Sequence, residues 1–335
     1  MTDTTTTARE TAIEPEMPII DAHHHLIDRP GRRYLFDEYL ADVSAGHNIR
    51  ATVYIESQAM CRADGPEALK PVGETEFVVG IAAMSESGNY GPCRVNAGIV
   101  GHADLALGDA VAETLDAHIV AGGGRFRGVR QVALSHPSPE PFRYVLNPPP
   151  KDLLHSDRFR EGFAQFGPRG LSFEATVFHT QLSDIAALAD AFPETVIVLD
   201  HLGFAIAMGR SQSERHTVFA DWSQALRELA RRPNVMAKIG GFGLPFWGFG
   251  FDQDEIKPDS DTLLRAWSPY IETGIDAFGL DRCMMESNFP VDAMSCDYVT
   301  LWNALKKATR ALAAEGRHKL FFENAARIYR LDVAG

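Results

Sequence analysis

The chain has 335 residues, 45% of them hydrophobic, and a formal net charge of −13. This length suits one large domain or two small ones. The acidic balance and the lack of a basic stripe argue against nucleic-acid binding, and no apolar run approaches membrane-spanning length. The composition therefore predicts a cytoplasmic protein with a small-molecule partner, and it leaves a homo-oligomer open.

Residues 1–17 differ in composition from the rest of the chain. They are polar and Thr-rich and lack the apolar stretch of a signal peptide. We therefore expect a disordered tail, followed by a single domain over residues 18–335. The four cysteines show no C-x-x-C spacing, which favours reduced thiols over a disulfide framework.

Short β-branched runs alternate with amphipathic helical patterns along the chain. The predicted strands are residues 19–23, 52–56, 78–83, 126–131, 171–177, 196–200, 235–239 and 283–287, with 99–103 as an accessory strand or part of the third unit. This alternation predicts a parallel sheet, and about eight units favour a (β/α)₈ TIM barrel over a doubly wound sheet. No G-x-G-x-x-G motif follows the first strand, which weakens the dinucleotide-binding alternative.

The loops that leave the predicted strands are long, whereas those that enter them are short. Long exit loops cover residues 57–75, 135–152, 203–216 and 240–261. In a parallel barrel all exit loops lie on one face, where active sites occur. Residues 240–251 combine glycines with five aromatic side chains, so we expect Trp247 and its neighbours to cover a pocket or to form a subunit contact.

Three consecutive histidines, His23 to His25, end the first predicted strand. Because side chains alternate along a strand, His23 and His25 face one side and His24 the other. Two imidazoles on one face can share a metal ion or a substrate. A surface histidine cluster is an equally simple interpretation of an isolated His-x-His pair.

Other polar side chains stand where the predicted strands end. Arg130 follows the fourth strand and suits an anionic substrate oxygen or, alternatively, a structural ion pair. His201 comes directly after a very apolar strand, a position that favours a functional role over a surface turn. Tyr54 and Glu56 end the second strand and are candidates for substrate contact.

Charged residues also occur inside the predicted strands. Lys238 in the seventh strand is expected to form an internal ion pair with Glu174 in the fifth. Asp200, directly before His201, is expected to face away from the site or to orient a neighbour.

Five motifs together resemble one enzyme superfamily. They are IIDAHHHLID near the start, FRGVRQV at the fourth strand, VIVLDHLG at the sixth, NVMAKIGGFG at the seventh and ESNFPVD at the eighth. The chain resembles the amidohydrolase superfamily over roughly residues 17 to 332, and looks most like the amidohydrolase-related (type 2) branch that contains sugar lactonases and 2-pyrone-4,6-dicarboxylate lactonase. The resemblance implies hydrolysis of a lactone, often one bearing a carboxylate. It also implies that His23, His25 and His201 match the family's histidines and that Arg130 grips the substrate.

The eighth strand departs from the family's pattern. Relatives normally end it with an aspartate that acts as general base, in a Gly-Ser/Thr-Asp-Trp-Pro sequence, whereas Asn288 stands at that place here. An amide accepts no proton at neutral pH and brings no charge to a metal. We therefore expect Asn288 to orient water or substrate, while Asp292, Glu56 or His201 takes the proton.

The resemblance also bears on cofactors and on rival functions. A binuclear metal centre is not expected, because the fourth strand offers no lysine for carbamylation. One divalent metal such as Zn²⁺ on His23, His25 and His201 is compatible with the sequence, and so is a metal-free site. Two functions compete with lactone hydrolysis. One is metal-dependent, non-oxidative decarboxylation of an aromatic or unsaturated acid, and the other is ligand binding by a protein with a reduced catalytic site.

Overall fold

Ten strands are present in the computed structural model, which describes residues 10–333. They are β1 (Pro18–His24), β2 (Ile27–Arg29), β3 (Arg32–Tyr34), β4 (Asn48–Ile55), β5 (Arg94–Gly101), β6 (Phe126–Arg130), β7 (Ser172–Ala175), β8 (Ile197–Leu199), β9 (Val235–Ile239) and β10 (Cys283–Met285). Eight of them pair in parallel in the order β1-β4-β5-β6-β7-β8-β9-β10, while β2 and β3 form a separate antiparallel hairpin. Neighbours in the sheet are therefore also neighbours along the chain.

Hydrogen bonds beyond the regular strands join the end of the sheet to its beginning. Asn288 N donates to the His23 carbonyl (2.9 Å), and His25 N donates to the Phe289 carbonyl (2.7 Å). The sheet thus closes into a (β/α)₈ TIM barrel, which confirms the predicted fold. These closing bonds lie at the carboxyl ends of β1 and β10, so they also fix the residues around which a site can form.

Most of the helices pack around the outside of the barrel. They are α1 (Phe36–Val43), α2 (Val72–Glu86), α3 (Val111–Ala121), α4 (Asp157–Phe163), α5 (Leu182–Ala191), α6 (Gln212–Leu229), α7 (Ser260–Phe278), α8 (Tyr298–Ala308), α9 (Ala314–His318) and α10 (Asn324–Ile328). Side-chain oxygens of Ser211, Asp259 and Asp297 accept backbone N–H groups at the starts of α6, α7 and α8. Within residues 10–333, no helix has both the length and the apolar character needed to cross a membrane.

The run at residues 78–83 is helical, so its prediction as the third strand is wrong. It lies within α2, where Thr75, Val78, Ala82 and Ser85 are buried at the spacing of a helix face. The third barrel strand is β5, which contains most of the run interpreted as an accessory strand. Periodicity does not separate a short apolar strand from a buried helix. The packing of α2 against β5 decides between them.

Apolar side chains from the strands and from the C-terminal segment fill the barrel interior. One buried cluster contains Ile20, Val53, Val100, Val198, Met284, Phe322 and Tyr329. Tyr329 OH donates to Glu174 Oε1 (2.7 Å). Arg127, near the start of β6, donates through Nε to the Tyr329 carbonyl. The C-terminal segment therefore closes the barrel at the end opposite the strand exits and leaves one face open.

The segment before β1 contacts the outside of the barrel. Glu10 Oε2 accepts hydrogen bonds from Ser260 Oγ (2.7 Å) and Asn303 Nδ2 (2.8 Å). Lys306 Nζ donates to the Glu14 carbonyl (2.8 Å). Residues 1–9 of the predicted tail lie outside the described residues. The four cysteines, all of which are described, form no disulfide.

Tyr54 packs on the outer side of β4, so it does not contact substrate as predicted. Its side chain is fully buried, and its OH donates to Glu74 Oε1 (2.8 Å) in the first turn of α2. Ser57 N (2.8 Å) and Ala59 N (3.0 Å) donate to the same carboxylate oxygen. Ser57 Oγ is a fourth donor to this oxygen (3.4 Å), so Glu74 fastens the end of β4 and the loop after it to α2.

Glu74 should make the stability of the protein depend on pH. Burial, assisted by the Glu56 charge, raises the pKa of Glu74 from 4.5 to about 7. The folded protein then binds this proton more tightly than the unfolded chain, so the free energy of unfolding falls as pH rises from about 4.5 through 7. Glu74→Gln keeps an oxygen for these donors and removes the charge. In urea titrations between about pH 5 and pH 8, we expect the parent to lose about 2–3 kcal/mol more stability than the variant.

Glu76→Gln provides the control, because Glu76 lies in the same helix but is exposed and paired with Arg62. This variant should keep the pH dependence of the parent. Equal pH dependence in all three proteins would contradict the prediction.

Candidate active site

A cavity of about 600 Å³ opens on the face where the barrel strands end. Five residues predicted for the site line it, each at or just after the end of a different strand: His25, Glu56, Arg130, His201 and Asn288. The long exit loops add apolar wall residues, including Phe204, Leu244 and Phe246. The parallel topology thus brings strand-end residues that are far apart in sequence into one cavity.

His23 and His25 meet at the end of β1. Their Nε2 atoms are 3.1 Å apart, and His25 Nδ1 lies 2.8 Å from the Ile55 carbonyl oxygen. Because a carbonyl only accepts, His25 carries its proton on Nδ1 and presents an unprotonated Nε2. His23 itself is fully buried, so the cavity reaches it through its contact with His25.

The outer side of β1 holds this histidine pair in place. The His24 ring stacks on Tyr39, with 4.0 Å between ring centroids. Tyr39 OH also donates to Asp21 Oδ2 (3.0 Å). A register shift occurs between Asp21 and His24 in the pairing of β1 with β4. Because Tyr39 belongs to α1, its stacking with His24 shows that His24 faces the helices. His23 and His25 face the barrel, as strand alternation predicted.

His23 has two consistent proton arrangements, because polar groups flank both ring nitrogens. Its Nδ1 lies 3.0 Å from Glu286 Oε2 and 3.3 Å from Lys238 Nζ. With the proton on Nδ1, two unprotonated Nε2 atoms face each other, an arrangement that a bound cation stabilises. With the proton on Nε2, His23 donates to His25 and accepts from Lys238. Burial first, and then the Lys238 charge, lower the pKa of His23, which favours the neutral ring in either arrangement.

His201 enters the cavity directly after β8, and a carboxylate orients it. Its backbone is left-handed (φ 52°), a conformation that is rare for non-glycine residues and concentrated at functional sites. Its Nδ1 lies 2.7 Å from Glu286 Oε1. Burial opposes ionisation of Glu286, but contacts with His201 and His23 outweigh it and lower the pKa to about 2. One ionised carboxylate therefore orients both histidines, and Nε2 of His201 remains for the cavity.

Two glycines directly after β9 make room for this carboxylate–histidine pair. A Cβ on Gly240 would lie 2.4 Å from Glu286 Cγ, and a Cβ on Gly241 would lie 2.4 Å from His201 Cγ. Any larger residue would displace the carboxylate or the imidazole. The Gly-Gly sequence is therefore part of the site.

Lys238 joins the buried carboxylates of the barrel interior. Its Nζ lies 2.6 Å from Glu174 Oε2, the ion pair expected from the sequence, and 3.3 Å from Asp200 Oδ1. Asp200 Oδ1 is also 3.4 Å from His23 Nδ1, so Asp200 orients a neighbour and does not face away. Burial raises the pKa of Glu174 to about 8. For Asp200, burial acts in the same direction, but the Lys238 charge and the contact with His23 outweigh it and lower the pKa.

Arg130 is held by Glu56. Arg130 Nε donates to Glu56 Oε1 (2.8 Å), and Nη2 donates to the Glu56 carbonyl (2.5 Å). Nη1 lies 3.4 Å from His23 Nε2. These bonds use the Nε–H and one of the two N–H groups of Nη2, so Glu56 holds one edge of the guanidinium and pairs with its charge. Nη1 remains, together with Glu56 Oε2, which accepts no hydrogen bond from the described residues.

Asp292 does not line the cavity, although it was a candidate for the base. It is fully buried, with Oδ1 accepting from Asn288 Nδ2 (2.8 Å) and Oδ2 accepting from Gly243 N (2.9 Å). Burial raises its pKa to about 7. Asp292 thus positions the cavity residue Asn288 and the loop after β9.

The aromatic loop after β9 lies on the active face, but Trp247 does not line the cavity. Trp247 is fully buried, its Nε1 donates to the Gly241 carbonyl (2.9 Å), and its ring packs against Tyr270 with 4.9 Å between centroids. Leu244 and Phe246 line the cavity instead. Trp247 therefore does not take the predicted place in the cavity wall, because the loop turns its largest ring into the core.

Comparison with known proteins identifies the family. The amidohydrolase family model matches residues 20–331. The chain belongs to the amidohydrolase family. An uncharacterized protein, y4mH, from Sinorhizobium fredii is 31% identical over 94% of this chain and 99% of its own length. An L-fucono-1,5-lactonase from Burkholderia ambifaria is 31% identical over 70% of this chain and 71% of its own. The crystal structure of a Burkholderia multivorans amidohydrolase with bound zinc covers 93% of this chain and 99% of that one at 25% identity, with a TM-score of 0.68.

These similarities confirm the superfamily and the enzyme class that the motifs implied. As an amidohydrolase with lactonase relatives, this protein is a hydrolase of the lactonase type or a related one. They do not define a substrate, and the roles of the site residues follow only from the geometry above.

The histidines of this amidohydrolase fit a divalent metal by donor type and spacing. Two nitrogen ligands of one tetrahedral zinc ion stand about 3.3 Å apart, close to the 3.1 Å between the Nε2 atoms of His23 and His25. Their Nδ1 atoms have the carboxylate and carbonyl partners typical of metal-bound histidines. His23, Asp200 and His201 also place one potential ligand atom each within 4.8 Å of one another. The Arg130 guanidinium beside His23 Nε2 opposes a metal there, so the site is compatible with one metal without requiring it.

Glu286 is not among the residues predicted for the site, although it contacts both His23 and His201. The sequence did contain a signal. Against the family's Gly-Ser/Thr-Asp-Trp-Pro pattern, Glu286 stands at the place of the glycine and Asn288 at the place of the aspartate. The acid is thus retained at the eighth strand but displaced by two positions. Its partners could not be assigned, because His201 lies 85 residues away in sequence.

Metal binding can be measured independently of activity. We expect the protein to bind one Co²⁺ or Zn²⁺ per chain and His25→Asn to abolish binding, because His25 supplies one of the two facing Nε2 atoms. Metal content after dialysis and the visible absorption of Co²⁺ are the measurements. His155→Asn is the control, since it removes a largely exposed histidine paired with Asp184. Equal metal content in the His25→Asn and His155→Asn variants would show that the metal binds away from His25. If the parent binds no metal, a proton joins His23 to His25 instead.

Proposed function

We propose that the protein hydrolyses a lactone, using His201 to activate the attacking water. The observation that carries this proposal is the position of His201 in the cavity with its Nδ1 on the buried Glu286 carboxylate (2.7 Å). A carboxylate at that place fixes the tautomer and stabilises the imidazolium that forms when Nε2 takes a proton. The lactonase relative supports a cyclic ester among the substrates that such a base can serve.

Residues around His201 offer complementary groups to a hydroxylated lactone. Arg130 Nη1 can donate to the ester carbonyl oxygen and stabilise the charge that develops there. Glu56 Oε2, which accepts no hydrogen bond from the described residues, can accept one from a substrate hydroxyl. Phe204 and Phe246 provide apolar surface for the ring.

Hydrolysis then requires two proton transfers at His201. Nε2 takes a proton from water as the water oxygen bonds to the carbonyl carbon, which gives a tetrahedral oxyanion near Arg130. Collapse of this intermediate breaks the ring C–O bond, and Nε2 returns the proton to the departing alkoxide oxygen. The product is an open-chain hydroxy acid, and His201 ends in its starting protonation state.

A metal would add to this chemistry without replacing it. Held by His23 and His25, a divalent ion would polarise a carbonyl or lower the pKa of a bound water. The sequence assigned His201 both as a metal ligand and as a catalytic group. We assign it as the base, since the Glu286 contact leaves its Nε2 for water. Glu286 also contacts His23, so this one carboxylate orients both the base and the donor pair.

Asn288 acts by orientation in this scheme. Its Nδ2 is committed to Asp292 Oδ1 (2.8 Å), which leaves the amide oxygen to accept a hydrogen bond from water or substrate. An amide in this position can align the attacking water but cannot take its proton. This division of roles explains how a site can function with asparagine where relatives carry an aspartate.

A panel of five- and six-membered sugar lactones, assayed by acid release, tests the function. We expect hydrolysis of at least one member, and a loss of about 100-fold or more in kcat for Glu286→Gln and for His201→Gln. His216→Gln, an exposed change in α6, is the control and should leave kcat unchanged.

Three outcomes would redirect the assignment. CO₂ release from aromatic acids without lactone hydrolysis would make the protein a decarboxylase. Ligand binding without turnover would make it a binding protein. If His201→Gln lost metal together with activity, His201 would be a metal ligand and not the base.

The roles of Asn288 and Asp292 can be separated by exchanging amide and acid. Asp292→Asn should lower kcat about tenfold, because one buried hydrogen bond to Asn288 contributes about 1–1.5 kcal/mol. Asn288→Asp should also lower kcat, since it sets a carboxylate against that of Asp292, whose Oδ1 lies 2.8 Å from the present amide. An undiminished rate in Asp292→Asn would exclude this positioning role. A higher rate in Asn288→Asp would show that the family's aspartate mechanism still operates here.

A further inference from the structure

Two arginines at the rim of the cavity have no carboxylate partner. Arg29 and Arg32 are cross-strand neighbours on the β2–β3 hairpin, and both line the cavity. Arg29 Nη2 donates to the Ser57 carbonyl, and Arg32 Nη2 donates to the Pro290 carbonyl (2.9 Å). In the part of the chain that the structure describes, neither makes an ion pair with Asp or Glu. Their positive charges are therefore oriented by backbone oxygens but not neutralised.

The other two arginines that line the cavity each have a carboxylate partner, Glu56 for Arg130 (2.8 Å) and Glu140 for Arg143. Arg33, the next residue on the hairpin, lies 3.2 Å from Glu38. Arg143, on another part of the cavity wall, lies 3.3 Å from Glu140. The chain carries 45 acidic residues against 32 basic ones, so acids are not scarce. Among the described arginines that line the cavity, Arg29 and Arg32 are the two without a carboxylate partner.

The local electrostatics favour an anion between the two groups. Partial burial, and then the like charge of Arg29, lower the pKa of Arg32. A bound anion would relieve this repulsion. The two carbonyl contacts tie the hairpin to the exit of β4 and to the segment after β10, so the guanidinium groups are held in place before the ligand arrives.

We propose that Arg29 and Arg32 bind a carboxylate substituent of the substrate, remote from the ester carbonyl that His201 attacks. This inference rests on the proposed function and deepens it, because it names the acidic group that the lactone carries. It also moves the anion site away from Arg130, whose charge is already paired with the Glu56 carboxylate. Guanidinium groups suit this task, since each presents donors in the plane of a carboxylate.

The test combines kinetics with direct binding. The substrates are two lactones of the same ring, one uncharged and one with a carboxylate. The variants are Arg29→Gln/Arg32→Gln, the charge-keeping Arg29→Lys/Arg32→Lys, and the control Arg33→Gln on the same hairpin. We expect the glutamine double variant to raise KM for the charged lactone about tenfold or more relative to KM for the uncharged lactone. The lysine variant should recover part of the affinity, the control should match the parent, and added salt should raise KM for the charged lactone only.

Calorimetry with glutarate, and separately with inorganic phosphate, tests the site without any turnover. Glutarate binding by the parent and the Arg33→Gln control, but not by the glutamine double variant, supports the anion site even if no lactone is hydrolysed, so the two proposals can fail separately. Preference for phosphate over glutarate would overturn the carboxylate assignment in favour of a phosphate ester. Equal glutarate binding in the double variant and the control, or no binding of either probe by the parent, would overturn the site.

Discussion

Compensation of buried charge inside the barrel is the constraint on which the site depends. Lys238, Glu174, Asp200 and Glu286 are all fully buried, and an isolated charge in such surroundings is strongly unfavourable. Each is tolerated because another lies within ion-pair distance or because an imidazole contacts it. Breaking one such pair typically costs about 3–5 kcal/mol, since the remaining partner stays buried without compensation. The positions of the histidines therefore follow from the ion pairs around them.

The same contacts connect the two ends of the barrel. Tyr329, in the C-terminal segment, donates to Glu174, and Glu174 pairs with Lys238. Lys238 contacts Asp200 and His23, and His23 contacts the cavity residue His25. The segment that closes the far end of the barrel thus supports the catalytic end through contiguous polar contacts. A residue at this end of the sequence can affect the site without approaching substrate.

The eighth strand shows how the site can retain an acid while losing the family's aspartate. Asn288 keeps the place in the cavity, whereas the ionised carboxylate is Glu286, two residues earlier. Glu286 reaches the histidines from behind, through their Nδ1 atoms, and not from the cavity. The structural consequence is an imidazole supported by a carboxylate, and this arrangement is the reason we propose His201 as the base. Gly240 and Gly241 are needed for this contact between Glu286 and His201, because any side chain at either glycine would occupy the space of Glu286 or His201.

The residues that could be predicted from sequence are those whose position depends on local geometry. Strand alternation placed His23 and His25 on one face, and the common edge of a parallel barrel brought Glu56, Arg130, His201 and Asn288 to one cavity. Predictions failed where an element's partner decided the outcome. Residues 78–83 became helix by packing against β5, and Trp247 and Tyr54 turned into the core.

The sequence by itself determined the barrel and brought strand-end side chains such as His25, Arg130 and His201 to its open face, because both follow from short-range periodicity and from parallel strand order. Only the tertiary structure decided which of those side chains are free to act. Glu56 occupies two nitrogens of Arg130 from 74 positions away, and Glu286 orients His201 from 85. Arg29 and Arg32 have no acidic partner in the described part of the chain, although acids are abundant in the sequence. Hydrogen-bond and ion-pair partners so distant along the chain are set by the closure of the barrel, and no local pattern encodes them.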